Sequence, residues 1–115
     1  MQVKIYHNPR CSKSRQTLQL LIEHDVEPEV IEYLNTPPDK TTLKKILQQL
    51  CLSPRDLMRR KESEYKENQL DDPALTEDQL IEAMVKHPKL IERPIVITDK
   101  GAAIGRPPEK VLEVL

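Results

Sequence analysis

The sequence predicts a mixed α/β fold in which a β-α-β unit, a helical insertion and a β-β-α unit follow one another. Three observations favour this order. Short apolar runs flank a helical pattern in the first third, apolar residues recur at helical spacing in the middle third, and two short apolar runs flank a turn in the last third. Because 115 residues suffice for one core, we expect a single domain over residues 1–115, with a helical subdomain over about 39–88.

The first strand is predicted over residues 3–6, and a helix follows it. Pro9 interrupts the strand, since proline lacks the backbone N–H that a sheet requires. Beyond it, apolar residues recur at helical spacing at Leu18, Leu21 and Ile22. Cys11 is therefore expected at or just before the helix N-terminus. Residues 30–34 have the pattern of a second strand, closed by an Asn-Thr-Pro-Pro turn.

The insertion is predicted to be helical. Its first helix begins near Asp39 and carries an apolar face formed by Leu43, Ile46, Leu47 and Leu50. A short helix begins after Ser53, where a proline occupies the first helical position. The charged stretch 61–72 is expected to be an exposed helix or an ordered loop. A capping box at residues 76–79 starts the last helix, which a His-Pro pair ends.

The last third predicts a hairpin and a final helix. Residues 94–98 and 102–104 have strand patterns, and the Asp-Lys-Gly sequence between them predicts the turn. Pro107 resembles a helix start. The final helix is expected to cover the sheet with Val111, Leu112 and Leu115.

Composition excludes several classes of function. The net charge is −1, and the chain has no Phe or Trp and three Tyr, so it has neither the basic surface nor the aromatic platform of a nucleic-acid-binding protein. The apolar run at 3–6 is too short for a signal sequence or a membrane span, so we expect a cytoplasmic protein without a membrane partner. The two Cys and three His residues lack metal-ligand spacing, so no metal site is expected.

Cys11 is the candidate nucleophile. The positive end of a helix and the charges of Arg10, Lys13 and Arg15 would stabilise its thiolate, and cysteines in such surroundings have pKa values of about 3.5–7.5 instead of about 8.5. A lone cysteine at a helix start is otherwise a small buried apolar residue. Cys51, between two leucines, is expected to be a core or helix-end residue. Without a secretion signal, both thiols are expected to be reduced.

Three segments carry a resemblance to a known family. Residues 6–15 (YHNPRCSKSR), 93–96 (RPIV) and 105–112 (GRPPEKVL) closely resemble the glutaredoxin-coupled arsenate reductases. The resemblance extends over essentially the whole chain. The end at Leu115, directly after the last predicted helix, resembles that of a subgroup of short bacterial proteins in this family. The resemblance implies a thioredoxin-like mixed sheet with a helical insertion between the second and third strands.

The resemblance also implies an active site. Cys11 would attack arsenate, and the oxyanion would be bound by Arg59, Arg93 and Arg106. Guanidinium groups suit this role because they can donate two parallel hydrogen bonds to a tetrahedral oxyanion. Arg60 is the nearest alternative to Arg59 for the middle position.

Further residues are expected to stabilise the thiolate or orient the clamp. His7 matches a family histidine and, as an imidazolium, would lower the Cys11 pKa. Ser14 would donate a hydrogen bond to the sulfur, and Arg15 adds positive charge. The Arg93–Pro94 peptide stands where thioredoxin-like folds have a cis proline, which would turn Arg93 toward the thiol.

The electron donors follow from the same resemblance. Ser14 stands where a Cys-x-x-Cys oxidoreductase has its second cysteine, so an external thiol is needed unless Cys51 approaches Cys11. Glutathione would be the co-substrate and glutaredoxin the protein partner, with no tightly bound cofactor. We expect the protein to be a monomer.

Two other functions remain open from the sequence. One is a thiol-linked reductase of another substrate, since Arg10 and Lys13 replace the small residues of the best-known arsenate reductases. The other is a protein-binding regulator of the same fold, like those that bind RNA polymerase. A low-molecular-weight tyrosine phosphatase is disfavoured, because its Cys-x5-Arg loop would need an arginine at Thr17.

Overall fold

A four-stranded mixed sheet lies in the part of the chain formed by the residues up to Thr36 and by Arg93–Leu115. The computed structural model describes residues 2–115. Its strands, in the spatial order β2-β1-β3-β4, are β1 Lys4–His7, β2 Glu29–Glu32, β3 Ile95–Thr98 and β4 Gly101–Ile104. This order of strands and helices along the chain confirms the predicted β-α-β and β-β-α units.

The strand register brings four chain segments to one edge of the sheet. β1 and β2 are parallel and end together at the pair His7 and Glu32. β3 is antiparallel to both β1 and β4, and its first residue, Ile95, pairs with Tyr6 and Ile104. The residues that follow β1, β2 and β4 and those that precede β3 therefore meet at the same edge, which we call the loop edge.

One face of the sheet is covered by helix α1, Ser12–Glu23, and by a C-terminal 3₁₀ helix, Pro108–Val114. The core between them consists of Val3, Ile5, Leu21, Val96, Ala103, Val111 and Val114. The helix that the spacing of Leu18, Leu21 and Ile22 predicts is present, although Ile22 itself is 53% exposed. The buried face consists instead of Ser14, Thr17 and Leu21.

The last element differs from the α-helix that the sequence predicts. It is a 3₁₀ helix in which Pro108, Val111 and Val114 are buried. These residues are three positions apart, which matches the three residues per turn of a 3₁₀ helix and places them on one side. The predicted face was based on the α-helical period, and its members Leu112 and Leu115 are only partly buried.

The predicted strand over residues 30–34 begins and ends earlier in the structure. β2 ends at Glu32, whose carbonyl accepts hydrogen bonds from the backbone N–H groups of Asn35 and Thr36, both at 3.0 Å. The turn therefore starts at Tyr33, and this residue leaves the sheet at the loop edge. Its side chain is 1% exposed.

The second compact unit, Pro37–Glu92, is mainly helical. It contains α2 Lys40–Leu50, α3 Pro54–Leu57, α4 Ser63–Glu67, α5 Glu77–Lys86 and a 3₁₀ helix Pro88–Leu90. The predicted helix starts are confirmed: Asp39 accepts from the Thr42 N–H at 2.7 Å, and Thr76 and Gln79 form a reciprocal capping box. Within residues 2–115, no helix has both the length and the apolar character needed to span a membrane.

Candidate active site

Cys11 lies at the N-cap of α1, as the sequence predicts. Its backbone is extended, with φ −95° and ψ 123°, and its carbonyl accepts the first hydrogen bond of the helix from Arg15 N at 3.0 Å. Its own N–H donates to the Asn8 carbonyl at 3.0 Å, which closes a tight turn between β1 and α1. The thiol therefore lies where the first backbone N–H groups of a helix have no partner within the helix.

Asn8 holds this turn through three hydrogen bonds. Besides the bond to Cys11, its side-chain oxygen accepts from Arg10 N at 3.0 Å, and its own N–H donates to Ser14 Oγ at 3.0 Å. The side chain thus mimics a backbone turn and fixes the loop before the helix begins. From the sequence, Asn8 is expected only to interrupt the first strand together with Pro9, and its side-chain hydrogen bond is evident only from the structure.

The local environment lowers the pKa of the Cys11 thiol below its ordinary value of 9.0. Burial is the largest influence and acts in the opposite direction, because it disfavours a charged sulfur. It is outweighed by hydrogen bonds from the backbone N–H groups of Ser14 and Lys13, and by a hydrogen bond and the positive charge of Arg93. Cys11 therefore has more thiolate character near neutral pH than an ordinary cysteine.

Arg93 and Arg106 reach Cys11 from the loop edge. Arg93 precedes β3 and Arg106 follows β4, so the hairpin places both beside the β1–α1 turn. Arg106 Nη2 lies 3.7 Å from Cys11 Sγ, and Arg106 Nε donates to the Arg93 carbonyl at 2.8 Å. The structure thus brings together the thiol and two of the three predicted clamp residues. The Arg93–Pro94 peptide is cis, as expected, and so is Arg106–Pro107.

Gly105 allows this hairpin to pack closely against α1. A β-carbon at this position would lie 2.5 Å from Thr17 Oγ1 and 2.8 Å from Pro94 Cγ, closer than real side chains approach. The Gly105 N–H also donates to the Pro94 carbonyl at 2.9 Å. Because Gly105 has no side chain, the hairpin backbone can approach α1 closely, and Arg106 extends from this backbone.

His7 and Ser14 interact with each other in the buried part of the site. Ser14 Oγ lies 2.7 Å from His7 Nδ1 and also accepts from the Asn8 N–H. Burial lowers the pKa of His7 below 6.5; Glu32 opposes this effect and the charge of Arg15 adds to it. This direction disfavours the imidazolium expected from the sequence.

The role expected for the Ser14 side chain is corrected in the same way. Its hydroxyl bonds to His7 and Asn8, while its backbone N–H is the group that hydrogen-bonds the sulfur. Arg15 Nη1 donates to the Pro9 carbonyl at 2.9 Å, so this side chain supports the turn. Its charge acts on His7, whereas the charge that acts on Cys11 comes from Arg93.

Arg59, the third predicted clamp residue, belongs to the Pro37–Glu92 unit. There its guanidinium forms ion pairs with Glu62 at 3.3 Å and with Glu92 at 3.8 Å. The backbone N–H of Arg59 donates to the Leu90 carbonyl at 2.7 Å. Its neighbour Arg60 is more exposed and lies 3.7 Å from Asp56. The ion pairs of Arg59 are therefore less exposed to solvent than the ion pair of Arg60.

Cys51 is exposed and caps the C-terminus of α2 in a left-handed conformation with φ 57°. Of the two locations expected from the sequence, the core and a helix end, Cys51 occupies the helix end. Across the described part of the chain, no group of three or more His, Cys, Asp and Glu side chains is arranged to hold a metal ion.

Together, these contacts define what the site can do chemically. A thiolate at a helix N-terminus is a nucleophile, and the adjacent guanidinium groups and helix N–H groups are donors for an anion. An oxyanion bound by these donors would lie beside the sulfur. The arrangement therefore suits nucleophilic attack on an oxyanion, with its negative charge offset by arginine.

Comparisons with known proteins agree with this geometry. Residues 6–114 match the ArsC family. An uncharacterised Escherichia coli K12 protein, YfgD, is 61% identical over 99% of this chain and 97% of its own length. An arsenate reductase of Neisseria meningitidis is 51% identical over 99% of this chain and 98% of its own.

A solved structure, the arsenate reductase from Vibrio cholerae, is 55% identical to this chain. It superposes with a TM-score of 0.97 over 100% of this chain and 98% of that one. The fold is accordingly the thioredoxin-like fold that the resemblance implied. Since both the family match and these identities extend over nearly all of the sequence, the chain belongs to the ArsC family.

Proposed function

We propose that this protein is an arsenate reductase in which Cys11 is the nucleophile. The observation that carries the proposal is the position of the Arg106 guanidinium, 3.7 Å from a thiol whose pKa is lowered. Relatives named arsenate reductase, which match this chain from end to end, support arsenate as the oxyanion.

The arginines would bind arsenate before any bond forms. Arsenate carries one to two negative charges near neutral pH, and planar guanidinium groups can donate to two of its oxygens at once. Arg93 and Arg106 supply such donors beside the sulfur, and the first N–H groups of α1 supply others. The resemblance assigns Arg59 to the same oxyanion, and we propose its participation on that ground alone.

The first chemical step would join sulfur to arsenic. The Cys11 thiolate attacks As(V), an S–As bond forms, and an arsenate oxygen leaves as water after protonation. The charge that develops on the remaining oxygens is offset by the arginines. The arsenic is still As(V) at this stage, so no electrons have been transferred.

Reduction would follow from attack by glutathione. Its thiolate attacks the Cys11 sulfur, the S–As bond breaks, and its electron pair stays on arsenic, which leaves as arsenite, As(III). The two sulfurs are oxidised together to a mixed disulfide. Glutaredoxin then takes the glutathionyl group, which releases the Cys11 thiolate, and a second glutathione forms glutathione disulfide. An external thiol is needed because Ser14 stands where a second cysteine of a Cys-x-x-Cys motif would be.

A coupled assay tests the proposal. Arsenate-dependent oxidation of NADPH is measured with glutathione, glutaredoxin and glutathione reductase for the parent protein, Cys11→Ser and the matched control Cys51→Ser. We expect turnover in the parent and in Cys51→Ser, and none in Cys11→Ser. No turnover by the parent would refute arsenate reduction with these donors, and full activity of Cys11→Ser would refute the nucleophile.

A further inference from the structure

Tyr33 has a buried hydroxyl that lacks an evident structural role. The side chain is 1% exposed, and its Oη has no hydrogen-bond partner among the residues described. A buried polar group without a partner is unfavourable, so such groups are rare in folded proteins. A phenylalanine would fill almost the same space without this cost. The hydroxyl therefore needs an explanation beyond packing.

The topology places Tyr33 at the candidate active site. β1 and β2 are parallel and in register at His7 and Glu32. The residue after Glu32 therefore lies beside the turn after His7, which contains Cys11. The same loop edge carries Arg93 before β3 and Arg106 after β4.

Electrostatic effects show the same proximity. Burial raises the pKa of Tyr33 to about 12, and the Cys11 charge adds to this rise. The charge of Arg93 and the donor groups of the Arg93 and Asn8 side chains oppose it, but these groups face the phenol oxygen outside hydrogen-bond geometry and cannot accept its proton. The phenol is therefore a neighbour of both the nucleophile and a predicted anion-binding arginine. It also keeps its proton throughout the neutral pH range, so it can donate a hydrogen bond and cannot repel an anion.

We propose that the Tyr33 hydroxyl donates a hydrogen bond to an oxygen of the oxyanion bound at Cys11 by Arg93 and Arg106. Tyr33 is then an uncharged substrate-binding donor beside two charged ones. The inference rests on the proposed function, since it requires an oxyanion at this site. It explains the unpartnered hydroxyl, because the bond is completed only when the substrate is present.

The thiolate is the other acceptor that this hydroxyl could serve. The groups that lower the pKa of Cys11 are the N–H groups of Ser14 and Lys13 and the guanidinium of Arg93, which stabilise the sulfur without Tyr33. Loss of the hydroxyl should therefore weaken oxyanion binding and leave the pKa of Cys11 unchanged. This difference separates the two acceptors experimentally.

The test compares Tyr33→Phe with the parent and with Tyr65→Phe, the same change in the helical unit. Arsenate is titrated against the rate of iodoacetamide alkylation at Cys11, followed by mass spectrometry of the Cys11 peptide. Glutathione is omitted, so binding is measured without turnover. Thermal unfolding and the pH dependence of alkylation without arsenate are measured on the same samples.

We expect Tyr33→Phe to need about tenfold more arsenate for half-protection, the loss typical of one hydrogen bond to a charged group. Its unfolding temperature should be equal to or above that of the parent, and its alkylation pH profile should be unchanged. Tyr65→Phe should match the parent in all three measurements.

The remaining outcomes overturn the inference in distinguishable ways. Equal protection in Tyr33→Phe and the parent removes Tyr33 from substrate binding while the oxyanion site stands. A rise in the pKa of Cys11 in Tyr33→Phe assigns the hydroxyl to the thiolate. If arsenate fails to protect the parent at all, the oxyanion site and the role of Tyr33 fall together.

Discussion

Arg106 lies with one guanidinium nitrogen 3.7 Å from the Cys11 sulfur while another donates to the Arg93 carbonyl at 2.8 Å. The side chain therefore joins the nucleophile to the backbone of the second arginine. Its planar group is oriented before any substrate binds, and such preorganisation reduces the cost of ordering donors in the transition state.

Arg106→Lys should reduce activity although it keeps the positive charge. A lysine ammonium is a point charge and cannot satisfy the Arg93 carbonyl and a bidentate oxyanion contact in the same geometry. We expect kcat/KM for arsenate to fall about 10- to 100-fold, consistent with one charge-assisted hydrogen bond of about 1.5–3 kcal/mol. Arg10→Lys is the matched control. Unchanged kinetics in Arg106→Lys would show that charge alone is required.

The pH dependence of Cys11 alkylation should show a lowered pKa. The thiolate is the reactive form, so the rate rises as pH increases through the pKa and then levels off. Because the pKa lies below 9.0, the plateau should begin at a lower pH than for a free thiol. Arg93→Ala should move the profile to higher pH, since it removes a hydrogen bond and a positive charge. Arg10→Ala should leave it in place, and a shift there would contradict the assignment to Arg93.

Ser14→Ala should destabilise the fold. The buried Ser14 hydroxyl accepts from the Asn8 N–H at 3.0 Å and lies 2.7 Å from His7 Nδ1, so its loss leaves both groups without a partner. The free energy of unfolding should fall by about 1–3 kcal/mol in urea titrations. The exposed neighbour Ser12, changed to alanine, should alter it by less than about 0.5 kcal/mol. Equal effects of the two changes would exclude a special role for the buried hydroxyl.

His7 should make the protein less stable as the pH falls below about 6.5. The folded-state pKa of His7 is lowered by burial, so the unfolded chain binds a proton more readily than the folded protein. The contribution of His7 to stability is therefore constant above the unfolded pKa of about 6.5. It declines as the pH falls toward the folded pKa of His7 and levels off below that pKa. Urea unfolding at pH 7 and pH 5.5 should show a smaller decline in His7→Gln than in the parent. An equal decline would assign the effect to other groups.

Gly105→Ala should impair both stability and arsenate reduction. The new β-carbon would lie 2.5 Å from Thr17 Oγ1 and 2.8 Å from Pro94 Cγ, so α1 and the hairpin must separate. Overpacking of this kind typically costs about 1–3 kcal/mol. We expect kcat/KM to fall as well, because Arg106 is the next residue.

A double-mutant cycle is the control for this steric explanation. Thr17→Ala removes the nearer obstacle, so it should partly restore both properties in the Gly105→Ala background. The rescue should be partial because Pro94 remains in the way. Additive losses in the double mutant would rule out contact with Thr17 as the cause.

Much of the fold could be predicted from local signals. The capping residues Asp39 and Thr76 mark the helix starts where the structure has them, and Pro9 separates the first strand from α1. These signals depend on hydrogen bonds between residues only two to four positions apart. The C-terminal helix was predicted with the wrong face because the period changes there, and its buried residues follow the 3₁₀ spacing.

The sequence by itself determined the element order and the position of Cys11 at a helix N-terminus, because both follow from neighbouring residues. The tertiary structure decided that Arg93 and Arg106 meet the thiol and that Tyr33 lies at the same sheet edge, since this requires the register of four strands. It also decided that the pKa of His7 is lowered, because a pKa depends on burial and on groups distant in the chain. Local patterns specify the elements, whereas the contacts that give a side chain its chemistry form only when those elements pack.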